Sequence, residues 1–407
     1  MSANNQNTKG LNRRDFLRLG STGAAGLALG GLGTSSALAQ AATSPKLPLR
    51  RYGKTGLQIS SLVGASDWSP DVIPLAVQAG VNYWHKSQRW NAQTMPDAIK
   101  SQPRESYYLE CVVDRVGGDN VHGHIDEEQH YQFVKKCVAD SGVGYYDVFK
   151  FHFGYHSLAE AKTEMGIVRA FQRLKNEGLV KHLALSQHHY KNIGGDMAYD
   201  ILGYLMENSP FEAAQFFYTY GDKKEIEDVI ALGKKNDFGT IAMKTMGGVG
   251  RAGQDPKFQA MLAQPQFNGS TPGSAMVKWL MSNQNLTAAV ISVKNFDQFQ
   301  ENLGAAQTAM TVNDHETIGL LAAFNKGTTC LLCSDCVSQC PEHIAIADIF
   351  RYERYALDYQ DLSRARAEYK TLTKNGTSCI ACGNCAPLCK ADINIVSKLK
   401  DVHNLLG

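Results

Sequence analysis

Eight of the ten cysteines in this 407-residue chain fall in two runs near its end. The first is Cys330-Leu-Leu-Cys333-Ser-Asp-Cys336-Val-Ser-Gln-Cys340-Pro341, and the second is Cys379-Ile-Ala-Cys382-Gly-Asn-Cys385-Ala-Pro-Leu-Cys389. Both read C-x2-C-x2-C-x3-C, the spacing that supplies four thiolates to a [4Fe–4S] cluster. The first three cysteines of such a run wrap one cluster, and the fourth points away to ligate its neighbour in two-cluster ferredoxins. The expected ligand sets are therefore crossed: Cys330, Cys333, Cys336 and Cys389 for one cluster, and Cys379, Cys382, Cys385 and Cys340 for the other. Zinc sites and disulfide frameworks also use clustered cysteines, but two runs of identical spacing in a chain this long fit neither well. The implied chemistry is electron transfer, unless the clusters are purely structural.

The rest of the chain must position these runs. Between the motifs, Ala345–Lys374 is rich in Ala, Leu, Arg and Tyr at helical spacing. Upstream, from Ser60 to about residue 310, short apolar strands alternate with amphipathic helices. The expected strands are Ser61–Gly64, Asn82–His85, Tyr107–Val113, Asp147–His152, His182–Ser186, Ala213–Phe217, Thr240–Lys244 and Ala288–Ser292. Helical patterns such as Leu158–Glu177, Lys223–Asn236 and Gly273–Ser282 are long enough for right-handed crossovers. Eight strand–helix units in this order predict an α/β fold, a closed parallel (β/α)8 TIM barrel, with functional groups at the strand C-terminal ends. Before it, Leu47–Ile59 alternates around a Gly-Lys-Thr-Gly turn and reads as a hairpin. The boundaries expected are a linker at 40–47, a barrel at 48–312 and a tail at 313–407.

On that barrel, histidines gather at the catalytic face. His85 ends the second strand, His122 and His124 follow the third, His152 ends the fourth with His156 beyond it, and His188 and His189 follow the fifth. Three of them could hold a metal, although loop histidines are commonly solvated. A proton-handling role for His85 and His152 fits imidazole better, because it titrates near neutral pH. Deeper in, strand alternation turns Glu110 and Lys150 inward on neighbouring strands, where a buried ion pair would leave neither charge alone. The alternative phase sends them into the helix layer. Cys111 and Cys137 read as buried thiols, with a disulfide the rarer option.

The formal charge of +2 comes from the first 39 residues, where Lys9, Arg13, Arg14 and Arg18 against Asp15 contribute +3 and leave −1 elsewhere. No basic stripe suggests a nucleic-acid partner. Asn12-Arg13-Arg14-Asp15-Phe16-Leu17, a weakly apolar stretch from Leu19 to Leu38, and the small-residue site Ala37-Leu38-Ala39 look like a twin-arginine signal over residues 1–39. Export in the folded state to the periplasm suits a chain whose clusters are inserted beforehand. Its glycines argue against an uncleaved membrane helix.

Several stretches then resemble one family. Arg51-Tyr-Gly-Lys-Thr-Gly-Leu-Gln-Ile-Ser60, Ala79-Gly-Val-Asn-Tyr83, Tyr146-Asp-Val-Phe-Lys-Phe-His152, Gly178-Leu-Val-Lys-His-Leu-Ala-Leu-Ser186, Ala242-Met-Lys-Thr-Met-Gly-Gly248 and Asn295-Phe-Asp-Gln-Phe-Gln-Glu-Asn302 look like the aldo-keto reductase pattern. With its cysteine tail the chain is similar to the bacterial branch that carries a C-terminal dicluster ferredoxin domain, here of the helical type. The resemblance implies hydride transfer from a nicotinamide to a carbonyl, with a tetrad of Asp, Tyr, Lys and His. Those positions fall on His85, Trp90, Val112 and His152, so three of the four are replaced. Trp90 has no proton to give and Val112 no charge, so ordinary carbonyl reduction is not expected. The resemblance also puts Ser186 and Gln215 at the nicotinamide amide and Lys294 and Asn302 at the adenosine phosphate end of NADP(H). These four could equally persist for packing.

The sequence thus predicts an exported iron–sulfur oxidoreductase passing electrons between a redox partner, protein or membrane component, and a small molecule at the barrel mouth. His85, Trp90 and His152 would bind and handle protons there. Two other readings stay open: an electron-transfer or docking module with an inactive barrel, and an NADP-dependent reductase whose cofactor is bound before export. The twin-arginine machinery is a further expected partner.

Overall fold

The computed structural model describes residues 46–117, 123–188, 196–220 and 224–407. Residues 1–39, where a signal is expected, and His122 and His189 lie outside the described residues. Among those described, no helix is long and apolar enough to cross a membrane.

Eight parallel strands close into a barrel. A hairpin of β1 (Leu49–Arg51) and β2 (Gln58–Ser60) precedes them, and the barrel strands are β3 (Leu62–Ala65), β4 (Tyr83–His85), β5 (Tyr108–Val113), β6 (Tyr146–Phe151), β7 (Val180–Gln187), β8 (Ala213–Phe217), β9 (Gly239–Met243) and β10 (Ala288–Val290). Each barrel strand pairs with the next in sequence, and β10 closes on β3 through Ala289 opposite Leu62. All eight expected strands are present, shifted by a residue or two at their ends. They are apolar on both faces because one face meets the helix layer and the other fills the barrel.

Alternation along each strand separates these two cores. Val63, Tyr83, Val148, Ala184, Ala213 and Ile241 fill the interior toward the N-terminal end. The hairpin plugs that end: Tyr52 is wholly buried and its ring meets Tyr83 edge-on at 5.6 Å. One turn higher, the same inward phase brings Glu110, Lys150 and Gln215 into the barrel. Hydrophobic burial therefore runs out toward the C-terminal face, where polar groups take over.

Two helical expectations need correction. The pattern Leu158–Glu177 is two helices, Leu158–Thr163 and Gly166–Asn176, because Glu164 leaves helical geometry at ψ 106° and its carboxylate accepts from the Gly166 N–H at 2.7 Å. The helix Val312–Asn325, assigned by sequence to the tail, docks on the barrel helix Pro272–Ser282. Its anchor is Asp314, fully buried, which closes a capping box with Thr311 and pairs with Lys278 at 2.9 Å.

The tail follows as Ile346–Leu357, Leu362–Lys370 and Ile395–Leu406, with the cysteine loops between. Every residue from Ile346 to Tyr355 is buried, including Asp348, Arg351, Glu353 and Arg354. A helix buried all round is sandwiched between two bodies. One body is the tail core of Ile349, Phe350, Tyr369, Ile395 and Leu399. The other is the C-terminal face of the barrel, so the tail caps the end where the functional groups lie.

Candidate functional site

The buried polar group at the barrel's upper end is built from neighbouring strands. Glu110 and Lys150, both fully buried, pair at 2.8 Å. Tyr83 donates to the other Glu110 oxygen at 2.7 Å, and Lys150 donates to the Gln215 amide oxygen at 2.7 Å. His85, at the end of β4, puts Nδ1 2.5 Å from Glu110 Oε1 and 3.0 Å from Lys150 Nζ. The shorter contact assigns the proton to Nδ1, donated to the carboxylate, and this leaves Nε2 as the other nitrogen. Burial raises the Glu110 pKa, but Lys150 and His85 outweigh it and hold the carboxyl well below its usual range. Burial, and then the Lys150 charge, pull His85 down to about 3 against the opposing pull of Glu110. The imidazole is therefore neutral, held on an ionised carboxylate.

A second histidine–carboxylate pair stands at the mouth. His152 directs Nδ1 at the Asp114 carboxylate, just past the end of β5. Burial lowers His152 to about 4 although Asp114 opposes it. His188 meets His152 edge-on at 4.7 Å, stacks on Phe153 at 4.0 Å, and approaches Ser186 Oγ at 3.2 Å through Nε2. Three of the expected histidines, His85, His152 and His188, thus line one cavity of about 730 Å³. His124 pairs instead with Val116 in an isolated bridge near the surface. Among the described residues, no three His, Cys, Asp or Glu side chains are placed to share a single metal ion.

Trp90 is not where the sequence reading needed it. It is 8% exposed, packs against Trp84 at 5.8 Å in the helix-layer core, and is absent from the cavity wall. A large apolar ring at this position is more stable buried among Trp84 and its neighbours than facing a polar mouth. Cys111 and Cys137 are free buried thiols in mutual hydrogen-bond contact.

The residues expected at a nicotinamide nucleotide divide. Lys294 and Asn302 line the cavity. At the other end the amide-holding groups are already engaged. Gln215 accepts from Lys150 and donates to Met243 Sδ, while Ser186 Oγ accepts from Phe153 N–H at 3.2 Å and is met by His188. Near the adenosine end, the Lys294 N–H is taken by Gln298 Oε1 at 2.8 Å, and Asn295 caps the following helix. These groups do not fit a nicotinamide amide as they stand.

Sequence reasoning missed the groups the tail contributes. Tyr355, Tyr359, Arg364 and Glu368 line the same cavity, together with Lys86, Asp114 and Lys244 from the barrel. Arg354 donates to the Lys244 carbonyl at 3.0 Å, and Arg351 lies 4.9 Å over the Phe153 ring. Asp358 takes Arg251 at 2.7 Å and the Gly248 N–H at 3.3 Å. Only the run of Arg and Tyr in Ala345–Lys374 hinted at a polar face, and nothing in it named the barrel as its target.

The cysteine loops repeat one backbone. Leu332, Ser334 and His343 adopt positive φ, and so do Ala381, Gly383 and Asp392 at the matching places of the second run. Cys336 lies within electrostatic reach of Cys330, Cys333 and Cys389, with Cys385 the weakest of its neighbours. Cys340, Cys379, Cys382 and Cys385 line one small apolar-walled cavity with Ile344, Ile346, Val396 and Leu399. Backbone N–H groups of Leu332 and Ile393 already aim at Cys330 and Cys389 sulfur, at 3.3 and 3.2 Å. Thiols gathered in fours, with N–H donors on two sulfurs of the first set, fit a [4Fe–4S] cluster better than single ions.

Comparison with known proteins agrees with this division of the chain. Residues 67–322 match the aldo/keto reductase family. Residues 329–394 match the 4Fe-4S dicluster domain. No curated protein matches. Two structures of a putative aldo-keto reductase from Pseudomonas aeruginosa match at TM-score 0.48 and 15% and 16% identity, over 65% of this chain and 98% and 96% of theirs. An aldo-keto reductase from Bacillus halodurans, in its holo form, matches at TM-score 0.50 and 15% identity, over 68% of this chain and 96% of its own. At that identity the likeness to the Bacillus halodurans protein is one of fold.

Proposed function

The chain belongs to the aldo/keto reductase family, and from that premise we propose that electrons pass between an external redox partner and a small molecule in the barrel-mouth cavity through two [4Fe–4S] clusters in the tail. The barrel and the dicluster domain together make the protein an iron–sulfur oxidoreductase. The observation that carries the finer reading is the seating of the tail on the C-terminal face of the barrel, with tail side chains completing the cavity wall. A docking scaffold has no need to share a cavity with its carrier.

The cluster ligands in this reading are the crossed sets, Cys330, Cys333, Cys336 and Cys389, and Cys379, Cys382, Cys385 and Cys340. Bound there, the clusters supply one-electron steps. The first set is the inner one, because Leu332 belongs to the barrel core cluster and Cys330 and Cys333 pack against it. Arg354 stands between Cys330 and the Lys244 carbonyl at the mouth. The second set is the outer one, with Cys382 exposed and Ile380 62% exposed beside it. The partner therefore meets the outer loop.

The barrel's own residues manage protons. His85 and His152 each donate Nδ1–H to a carboxylate, and Nε2 is left to accept or give a proton in the cavity. Glu110 holds His85 in that tautomer, as an orienting carboxylate holds a catalytic imidazole, and Lys150 keeps Glu110 ionised. No step is assigned to NADP(H), because Ser186 and Gln215 are spent on the barrel itself. Export to the periplasm by the twin-arginine route, from residues 1–39, completes the reading.

The test is anaerobic purification followed by EPR-monitored titration. Dithionite is expected to reduce two interacting [4Fe–4S] clusters, and NADPH to reduce neither. Reduction by NADPH would return the chain to the nicotinamide route, and a protein that takes up no iron would end the electron-transfer reading.

A further inference from the structure

The inner half of the cavity is crowded with cations. Lys86 follows β4 and Lys244 follows β9, with β3 and β10 between them around the mouth, and Arg89 and tail Arg364 line the same space. Both lysines hold left-handed backbone, at φ 55° and 56°. A non-glycine residue pays for that conformation, and such residues cluster at functional sites where a side chain must be aimed.

The carboxylates at this end are largely committed. Asp114 holds His152, and Glu368 holds Arg364 at 3.1 Å. Asp67 lies exposed at the rim. The Lys86 ammonium makes no hydrogen bond or ion pair with any described residue, although Asp114 acts on it at longer range. Lys244 has His188 Nδ1 at 3.5 Å and the faces of Phe217 and Tyr355 at 4.8 and 5.4 Å. The like charges feel one another. Burial, then Arg364 and Arg89, pull Lys86 down to about 8, and burial, then Arg351 and Arg364, push Lys244 well below the usual lysine range.

Resting on the reading above, we propose that the molecule reduced or oxidised in this cavity is a small organic oxyanion, whose carboxylate or phosphate is held by Lys86, Lys244 and Arg364. Such a group offsets the repulsion that Arg364 exerts on each lysine and forms charge-assisted hydrogen bonds with each of the three. It also brings the rest of the ligand beside His85 and His152. Because Arg364 belongs to the tail, the oxyanion is clasped by both parts of the chain, and the recognition site exists only in the docked protein.

Isothermal titration calorimetry on the anaerobically purified, cluster-loaded protein tests this, with succinate and citrate as carboxylate probes and inorganic phosphate and glycerol 3-phosphate as phosphate probes. At least one series is expected to bind, and the better one identifies which oxyanion is used. Lys86→Met and Lys244→Met each weaken that probe by about ten- to a hundredfold. Lys244→Arg retains most of the affinity, and Lys100→Met, outside the cavity and paired with Asp97, changes nothing. Binding by neither series, equal binding by the Lys86→Met and Lys244→Met variants, or loss in Lys100→Met overturns the proposal. Cluster content read by absorbance in the same samples separates the two claims. Loaded clusters without oxyanion binding sink this inference alone, and oxyanion binding without clusters sinks the electron-transfer reading alone.

Discussion

At the scale of the residue, the buried pair Glu110–Lys150 decides most. Removing one partner leaves the other charged inside the barrel, which costs about 3–5 kcal/mol. Lys150→Met should therefore lower the thermal midpoint sharply, and Glu110→Gln/Lys150→Met should recover much of the loss; a double variant as damaged as the single one would contradict this. The histidines add a pH dependence of definite sign. Folded His85 and His152 take a proton only near 3 and 4, whereas an unfolded histidine does so near 6.5. As pH falls below about 6.5 the unfolded chain gains protons that the folded one refuses, so stability is lost through that window. Melting curves between pH 7 and pH 5, above the carboxylate range, should slide downward with acid, and His85→Gln should flatten the slope. The inward pair was legible in the sequence from strand period alone. Asp114 was not, because its role depends on where β5 ends, and Trp90 was misplaced because alignment with a tyrosine says nothing about which way an indole packs.

At the scale of the element, the contact between tail and barrel rests on close backbone approach. A Cβ at Gly250 would lie 2.1 Å from the Asp358 carbonyl oxygen, so only glycine lets the chain after Leu357 lie this close to the barrel. Gly250→Ala should loosen the tail, and limited proteolysis should then cut between residues 326 and 346 faster than in the parent; unchanged cleavage would show that the contact gives way locally. The cluster loops offer a second test. Cys340→Ser should spoil the cluster shared with Cys379, Cys382 and Cys385 and leave the one at Cys330, Cys333 and Cys336 visible by EPR; the opposite pattern would refute the crossed sets. The eight strands and the two loops were readable from periodicity and spacing. The break at Glu164 and the docking of Val312–Asn325 were not, since each depends on a single carboxylate finding a tertiary or local partner.

At the scale of the whole molecule, the barrel and the tail share one cavity; strand periodicity and cysteine spacing disclose each half's fold without saying how the halves meet. Nothing in the periodicity of Ile346–Leu357 distinguishes a helix covered on one face from one covered on all. Under the proposed function, that burial sets how electrons would travel. A carrier domain that swings between donor and acceptor needs an exposed face to leave and return by, and this helix has none. The distance from inner loop to cavity is thus fixed, and transfer within the chain should be tunnelling across a set gap, insensitive to solvent viscosity. In flash-reduction experiments, added sucrose should slow the encounter with the partner at the outer loop while the internal step keeps its rate.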